Sequence, residues 1–223
     1  MRLRLGMLAS HGGTNVQSVV QACGEGRLSA EPALIISNNR DSAVLEFGRS
    51  RGVPSIWIGG AAYQDEAVRD HAICAELSSH NVDLVLLLGY MRKLGPATLA
   101  CFRNRILNIH PALLPKHGGK GNYGIHVHQS VLASGDTETG VSIHLVDAEY
   151  DQGPVIAQCR VCVLRGDTPA TLQARVLARE HEFLVETLNR IVAGSIPGMA
   201  ELYGAANLGR SRPSGRPPSA TSL

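Results

Sequence analysis

The 223-residue sequence predicts an α/β fold: a Rossmann-like, doubly wound, mostly parallel sheet with an antiparallel C-terminal part. Three observations predict it. Apolar strand-like runs alternate with helical stretches from residue 3 onward, the pattern of successive β-α units. Leu84 to Leu88 is apolar without interruption, as expected of a strand covered on both faces. Two later runs, Gly140 to Val146 and Val155 to Val163, are joined by a polar turn, so the second can pair antiparallel with the first.

Taken in order, Leu3 to Ala9 reads as a buried strand. Ser10-His11-Gly12-Gly13-Thr14-Asn15 follows and opens a helix with Val16, Val19, Val20 and Cys23 on one side. A strand, a glycine-rich turn and a helix start together form a nest of backbone N–H groups suited to phosphate. The spacing matches neither GxGxxG nor GxxxxGK[ST], and a tight turn capped by Thr14 or Asn15 accounts for the same residues. Ala33 to Ser37 and Pro54 to Ile58 read as strands, Ser42 to Arg51 and Tyr63 to Ser79 as helices.

After the apolar strand at 84–88 comes Gly89-Tyr90-Met91-Arg92-Lys93-Leu94, where a flexible Met beside a Leu can line a flat apolar ligand's pocket. Ile106 to Ile109 is a short strand that Pro111 stops, since proline cannot donate to a ladder. Asn108 and His110 stand two residues apart, so on an extended segment both side chains leave the same face, toward the strand's carboxyl end. Ligands of open α/β sheets bind there. Pro115 to Gly124 is glycine-rich and reads as a loop over that site, and His126-Val127-His128 opens a short helix to Ser134.

On the strand at 140–146, Ser142 and His144 share a face. The turn Asp147 to Pro154 brings acids, Asp151 among them, to the sheet edge. Pro169 starts a long helix with Leu172, Val176, Phe183, Leu184, Leu188 and Ile191 as its apolar stripe, and Gly194 ends it. Residues 1–204 are expected to form one catalytic domain. The Gly/Ser/Arg/Pro-rich residues 205–223 are expected to be a disordered tail.

Composition narrows the class. With 44% apolar and 18% charged residues and a net charge of +2, nothing points to nucleic acid or a membrane surface. No run approaches the roughly 20 apolar residues of a membrane span. The five cysteines are odd in number and scattered, which points to a reduced, cytoplasmic protein with free thiols. Cys159 and Cys162 have CxxC spacing, but three residues apart on a strand they face opposite sides. The histidines lack partners at recognisable ligand spacing, so no metal is expected. A monomer and a homodimer are both compatible with the sequence.

Three segments together resemble one family: Asn108-Ile109-His110-Pro111-Ala112-Leu113-Leu114-Pro115, Thr139-Gly140-Val141-Ser142-Ile143-His144, and Asp151-Gln152-Gly153-Pro154-Val155-Ile156. They are similar to the formyltransferases that use 10-formyltetrahydrofolate, over about residues 3 to 200. The resemblance implies the formyltransferase fold and formyl transfer to the amine of glycinamide ribonucleotide in purine biosynthesis, without a metal. It leaves a 10-formyltetrahydrofolate hydrolase, or a formyltransferase with another amine acceptor, as the alternative.

By the same resemblance, Asn108, His110 and Asp151 are catalytic. Gly12, Gly13, Thr14 and Asn15 hold the substrate phosphate and Glu180 contacts the ribose. Met91, Arg92, Lys93, Leu94 and Val146, with Asn108, line the folate pocket. The chain departs from the family pattern at His11, Lys93 and Leu177, and its 116–124 loop is longer. Acyl transfer to an amine needs donors for a developing oxyanion and a proton for the leaving nitrogen. Asn108 is suited to the first task and His110 to both, with Asp151 expected to raise the histidine's pKa.

Overall fold

The computed structural model describes residues 2–196 and 199, so the expected tail at 205–223 lies outside the described residues. Seven strands form one sheet: β1 (Leu3–Leu8), β2 (Ala30–Ser37), β3 (Ser55–Trp57), β4 (Leu84–Leu87), β5 (Ile106–His110), β6 (Glu138–Leu145) and β7 (Val155–Cys162). Their order is β3-β2-β1-β4-β5-β6-β7. The first five run parallel, and β6 and β7 add antiparallel, as the sequence predicts. Helices are α1 (Thr14–Gly24), α2 (Ala43–Ser50), α3 (Glu66–Ser79), α4 (Pro96–Cys101), α5 (Ile125–Ala133) and α6 (Pro169–Val192).

Strand alternation builds a core on each face. Leu5, Met7, Leu84, Leu86, Leu107 and Ile109 join one cluster, which α1 and α6 cover. Leu8, Val85, Leu87 and Ile106 join the other, beneath Ile73 and Leu77 of α3. The chain winds outward from β1 to β3 and returns to β4 beside β1. The two loops that leave β1 and β4 therefore flank the point where the winding reverses, the usual crevice for ligands.

One helix start and one added helix differ from expectation, and capping accounts for both. The helix expected from Tyr63 begins at Glu66, since the Asp65 carboxylate accepts from the N–H groups of Ala67 and Val68. The short helix α4, which periodicity does not announce, has Pro96 at its start. Its first N–H groups are capped from another element: Asp70 of α3 accepts from Gly95, Ala97 and Thr98 at 2.7–3.2 Å.

Candidate active site

The parallel register puts Asn108 of β5 opposite Leu87, at the carboxyl end of the central strands. On its other edge β5 pairs antiparallel with β6, with Asn108 opposite His144 and His110 opposite Ser142. Cross-strand partners share a face, so these four polar side chains form a block beyond the apolar core. Ser142 is spent on structure: its hydroxyl donates to Ala112 O and accepts from Leu114 N–H, holding the chain after Pro111.

Asp151 closes the group from the β6–β7 turn. One carboxylate oxygen, Oδ1, accepts from Asn108 Nδ2 at 3.3 Å. The other, Oδ2, accepts from Gly119 N–H at 2.9 Å and lies 3.6 Å from His110 Nδ1. The turn depends on Gly153, where a Cβ would stand 1.8 Å from the Leu145 carbonyl oxygen. Gly119 belongs to the glycine-rich 115–124 loop, which here folds back onto Asp151.

Both amide hydrogens of Asn108 are engaged, one on Asp151 and one on His144 Nε2 at 3.0 Å. His144 Nδ1 lies 2.8 Å from the Leu145 carbonyl, which can only accept. The neutral ring therefore carries its hydrogen on Nδ1, and Nε2 accepts from Asn108. His144 is 2% exposed, and its orienting position follows from register. Sequence alternation puts it on one face with Ser142 and assigns it no role. Alternation alone could not reveal that it lies opposite Asn108.

His110 is buried, and its Nε2 donates to the His117 carbonyl at 2.8 Å. Asp151 acts in the expected direction and, with the His117 carbonyl, raises the pKa of His110. Burial, which lowers it, is the larger influence, so the net direction is downward. In the free protein His110 is thus a neutral ring with hydrogen on Nε2 and a free lone pair on Nδ1. For Asp151 itself, burial pushes the carboxyl up. The neighbouring His144 and His110 imidazoles and the Gly119 N–H outweigh that and hold its pKa below the usual range.

These groups border a cleft of about 640 Å³. Met91, Arg92, Lys93, Leu94 and Val146 line one end and Asn15 and Glu180 line it elsewhere, with Asn108, His110 and Asp151 also on its wall. The Ser10 hydroxyl ties the Met91 backbone to Asn38 at the end of β2, which fixes the loop after β4. Tyr90, in the segment expected to line a pocket, also lines the cleft, as do Lys120, Tyr123, His128, Tyr150 and Gln173, to which sequence alone gives no place in the site. They come from loops and helices that only folding brings to one place.

The expected phosphate group is split. Asn15 faces the cleft, whereas Gly12 lines a separate recess with His11, Asn39 and Arg40, and Gly13 and Thr14 line neither. Gly13 is the helix N-cap, with φ +62° and no side-chain cap, so neither Thr14 nor Asn15 caps α1. A Cβ on Gly13 would meet Val44 Cγ2 at 2.3 Å, so the position requires glycine twice over.

Glu180 is 6% exposed, one turn after Val176 on the apolar stripe of α6, and accepts from Asn15 Nδ2 at 3.2 Å. Burial pushes its pKa up to about 7 against the pull of Asn15. Asn15 Oδ1 is buried without a partner.

Among the described residues no group of three His, Cys, Asp or Glu is placed to hold a metal ion. No helix among them is long and apolar enough to cross a membrane. All five cysteines are free thiols.

Comparison with known proteins supplies a family. Residues 3–188 match the formyl transferase family model. The chain is 39% identical over 191 residues to phosphoribosylglycinamide formyltransferase, chloroplastic, of Arabidopsis thaliana, covering 85% of this chain but 65% of that protein. It thus spans slightly less than two thirds of that plant relative. It is 36% identical over 175 residues to the Escherichia coli phosphoribosylglycinamide formyltransferase, covering 78% of this chain and 80% of that one. The crystal structure of glycinamide ribonucleotide transformylase 1 from Symbiobacterium toebii superposes with a TM-score of 0.80 at 39% identity. It covers 86% of this chain and 89% of its own.

Proposed function

The chain belongs to the formyl transferase family and is an enzyme of group transfer, and from that premise we propose its reaction. It moves the formyl group of 10-formyltetrahydrofolate to the amine of glycinamide ribonucleotide, a step of purine biosynthesis. One observation carries the reading. Asn108, His110 and Asp151 share the wall of a cleft that has an apolar, cation-edged lining at Met91–Leu94 and the polar pair Asn15–Glu180.

The volume suits small-molecule substrates, and a pterin ring fits the lining of Leu94, Val146 and Met91. The acceptor lies toward Asn15 and Glu180, its phosphate near the N-terminus of α1, where unpaired N–H groups favour an anion. Leu177 replaces a polar residue of the family pattern. Gln173, one turn earlier on α6, also lines the cleft and supplies an amide close by. Both substrates are diffusible, and the free thiols suit a reduced, cytoplasmic setting.

Chemistry follows from the hydrogen positions. The neutral amine attacks the formyl carbon, an N–C bond forms, and the carbonyl oxygen becomes an oxyanion. Asn108 swings its weaker hydrogen bond, the 3.3 Å contact to Asp151, onto that oxygen, while His144 keeps the amide oriented at 3.0 Å. His110 Nδ1 takes the proton the nitrogen loses and returns it to the folate nitrogen as the C–N bond breaks. A histidine neutral at rest suits this order. The proton arrives only when the oxyanion is present, and Asp151 and the oxyanion together then stabilise the imidazolium.

The test is to follow folate product with and without glycinamide ribonucleotide. Product only with the acceptor supports the proposal. Equal product in its absence means hydrolysis, and no product in either case ends the reading.

A further inference from the structure

The mechanism needs a hydrogen on Nε2 of His110 and a free Nδ1, and something must hold that tautomer. We propose that His117, anchored to Asp136 and Ser130, is a positioning residue whose backbone carbonyl sets the His110 tautomer; the proposal deepens the formyl-transfer reading.

The geometry is specific. His117 Nε2 lies 2.8 Å from Asp136 Oδ2, in the turn between α5 and β6, and Nδ1 lies 2.8 Å from Ser130 Oγ on α5. Lys116 Nζ holds the other Asp136 oxygen at 3.0 Å. The imidazole is thus clamped at both nitrogens by Ser130 and Asp136, neither of which lines the substrate cleft. Its own backbone has φ +56°, left-handed, where a side chain other than glycine costs about 1 kcal/mol or more. The clamp offsets that cost.

In this conformation the His117 carbonyl meets His110 Nε2 at 2.8 Å, and two residues on Gly119 donates its N–H to Asp151 Oδ2. A single short segment therefore holds both His110 and Asp151. Gly118 between them permits the close approach, since a Cβ there would meet Leu114 Cδ2 at 2.5 Å. The ionisable groups around His110 are Asp151 and His144 at the sheet edge, His117 itself, and His128 on α5. The Asp151 carboxylate, 3.6 Å from Nδ1, favours a hydrogen there, and among the described residues it is the His117 carbonyl that contacts Nε2 and draws the hydrogen to that nitrogen instead.

The experiment compares wild type with His117→Ala, Asp136→Asn and Ser130→Ala. Nitrogen-15 NMR of the free full-length protein reads the His110 tautomer, and steady-state rates across pH 5–9 read its use. Wild type is expected to show the Nε2–H tautomer. In His117→Ala the two tautomers mix, kcat falls by about 10–100-fold, the usual scale of a misplaced catalytic group, and both KM values stay within about threefold. Loss of the carbonyl contact removes an influence that raises the His110 pKa. Its NMR titration and the acid limb of kcat therefore move to lower pH. Asp136→Asn, nearly the same shape, gives the same changes at reduced size and covers the case in which the alanine variant unfolds.

A folded His117→Ala protein with unmixed Nε2–H tautomer and wild-type kcat would overturn the proposal. Because the NMR readout needs no substrate, failure of formyl transfer itself would show as inactivity of wild type and leave the tautomer result standing.

Discussion

Replacing Glu180 with glutamine tests the electrostatics of the buried Asn15–Glu180 pair. The carboxyl has a pKa of about 7 because burial penalises its charged form, against about 4.5 for an ordinary glutamate. The sign follows from proton counting. Between those two values the folded protein holds a proton that the unfolded chain has released, so stability falls as pH rises through this window and is level above it. At about 1.4 kcal/mol per pH unit, the full cost of ionising Glu180 in place is about 3 kcal/mol.

Glutamine has nearly the same shape and no charge to bury. The variant should therefore match wild type near pH 5 and exceed it by up to about 3 kcal/mol at pH 8, or several degrees in thermal midpoint for a chain of this size. Urea denaturation at the two pH values, wild type against variant, gives the comparison. A stability difference that is the same at pH 5 and pH 8 would refute the reasoning. The stabilised variant should also bind the acceptor less well at pH 8, because it lacks the carboxylate that accepts from sugar hydroxyls.

Three further outcomes are expected. Asp151→Asn should lower kcat by at least about 100-fold and shift the acid limb to lower pH, because His110 loses the charge that raises its pKa. A rate near wild type across pH 5–9 would remove Asp151 from the mechanism. Asn15→Ala should raise KM for glycinamide ribonucleotide far more than KM for 10-formyltetrahydrofolate, and equal effects would put the acceptor elsewhere. Gly13→Ala should cost about 1–3 kcal/mol in thermal denaturation through its positive φ and the Val44 contact, whereas Gly12→Ala, with open space at its Cβ, should stay within about 0.5 kcal/mol.

Much of the site was legible because strand alternation is a strong constraint. Asn108 and His110 had to share a face once Ile106 to Ile109 was a strand, and Pro111 had to end it. Glu180 enters through the family resemblance, and its burial follows from its place one turn after Val176 on the apolar stripe of α6. The tie from Asp151 to Gly119 and the clamp on His117 were not visible. Both depend on a left-handed residue and a loop path that no local preference specifies.

By itself the sequence determined the succession of strands, the parallel core with its antiparallel edge, and the shared face of Asn108 and His110. These follow from periodicity and short-range sterics, which each segment carries alone, whereas Asp151 entered through the family resemblance. The tertiary structure decided which hydrogens those residues have free. Asn108 donates both of its amide hydrogens to His144 and Asp151, and His110 is neutral with its lone pair on Nδ1. Protonation depends on burial and on neighbours distant in the chain. A low-dielectric wall around His110 outweighs the carboxylate beside it, and only the closed fold builds that wall.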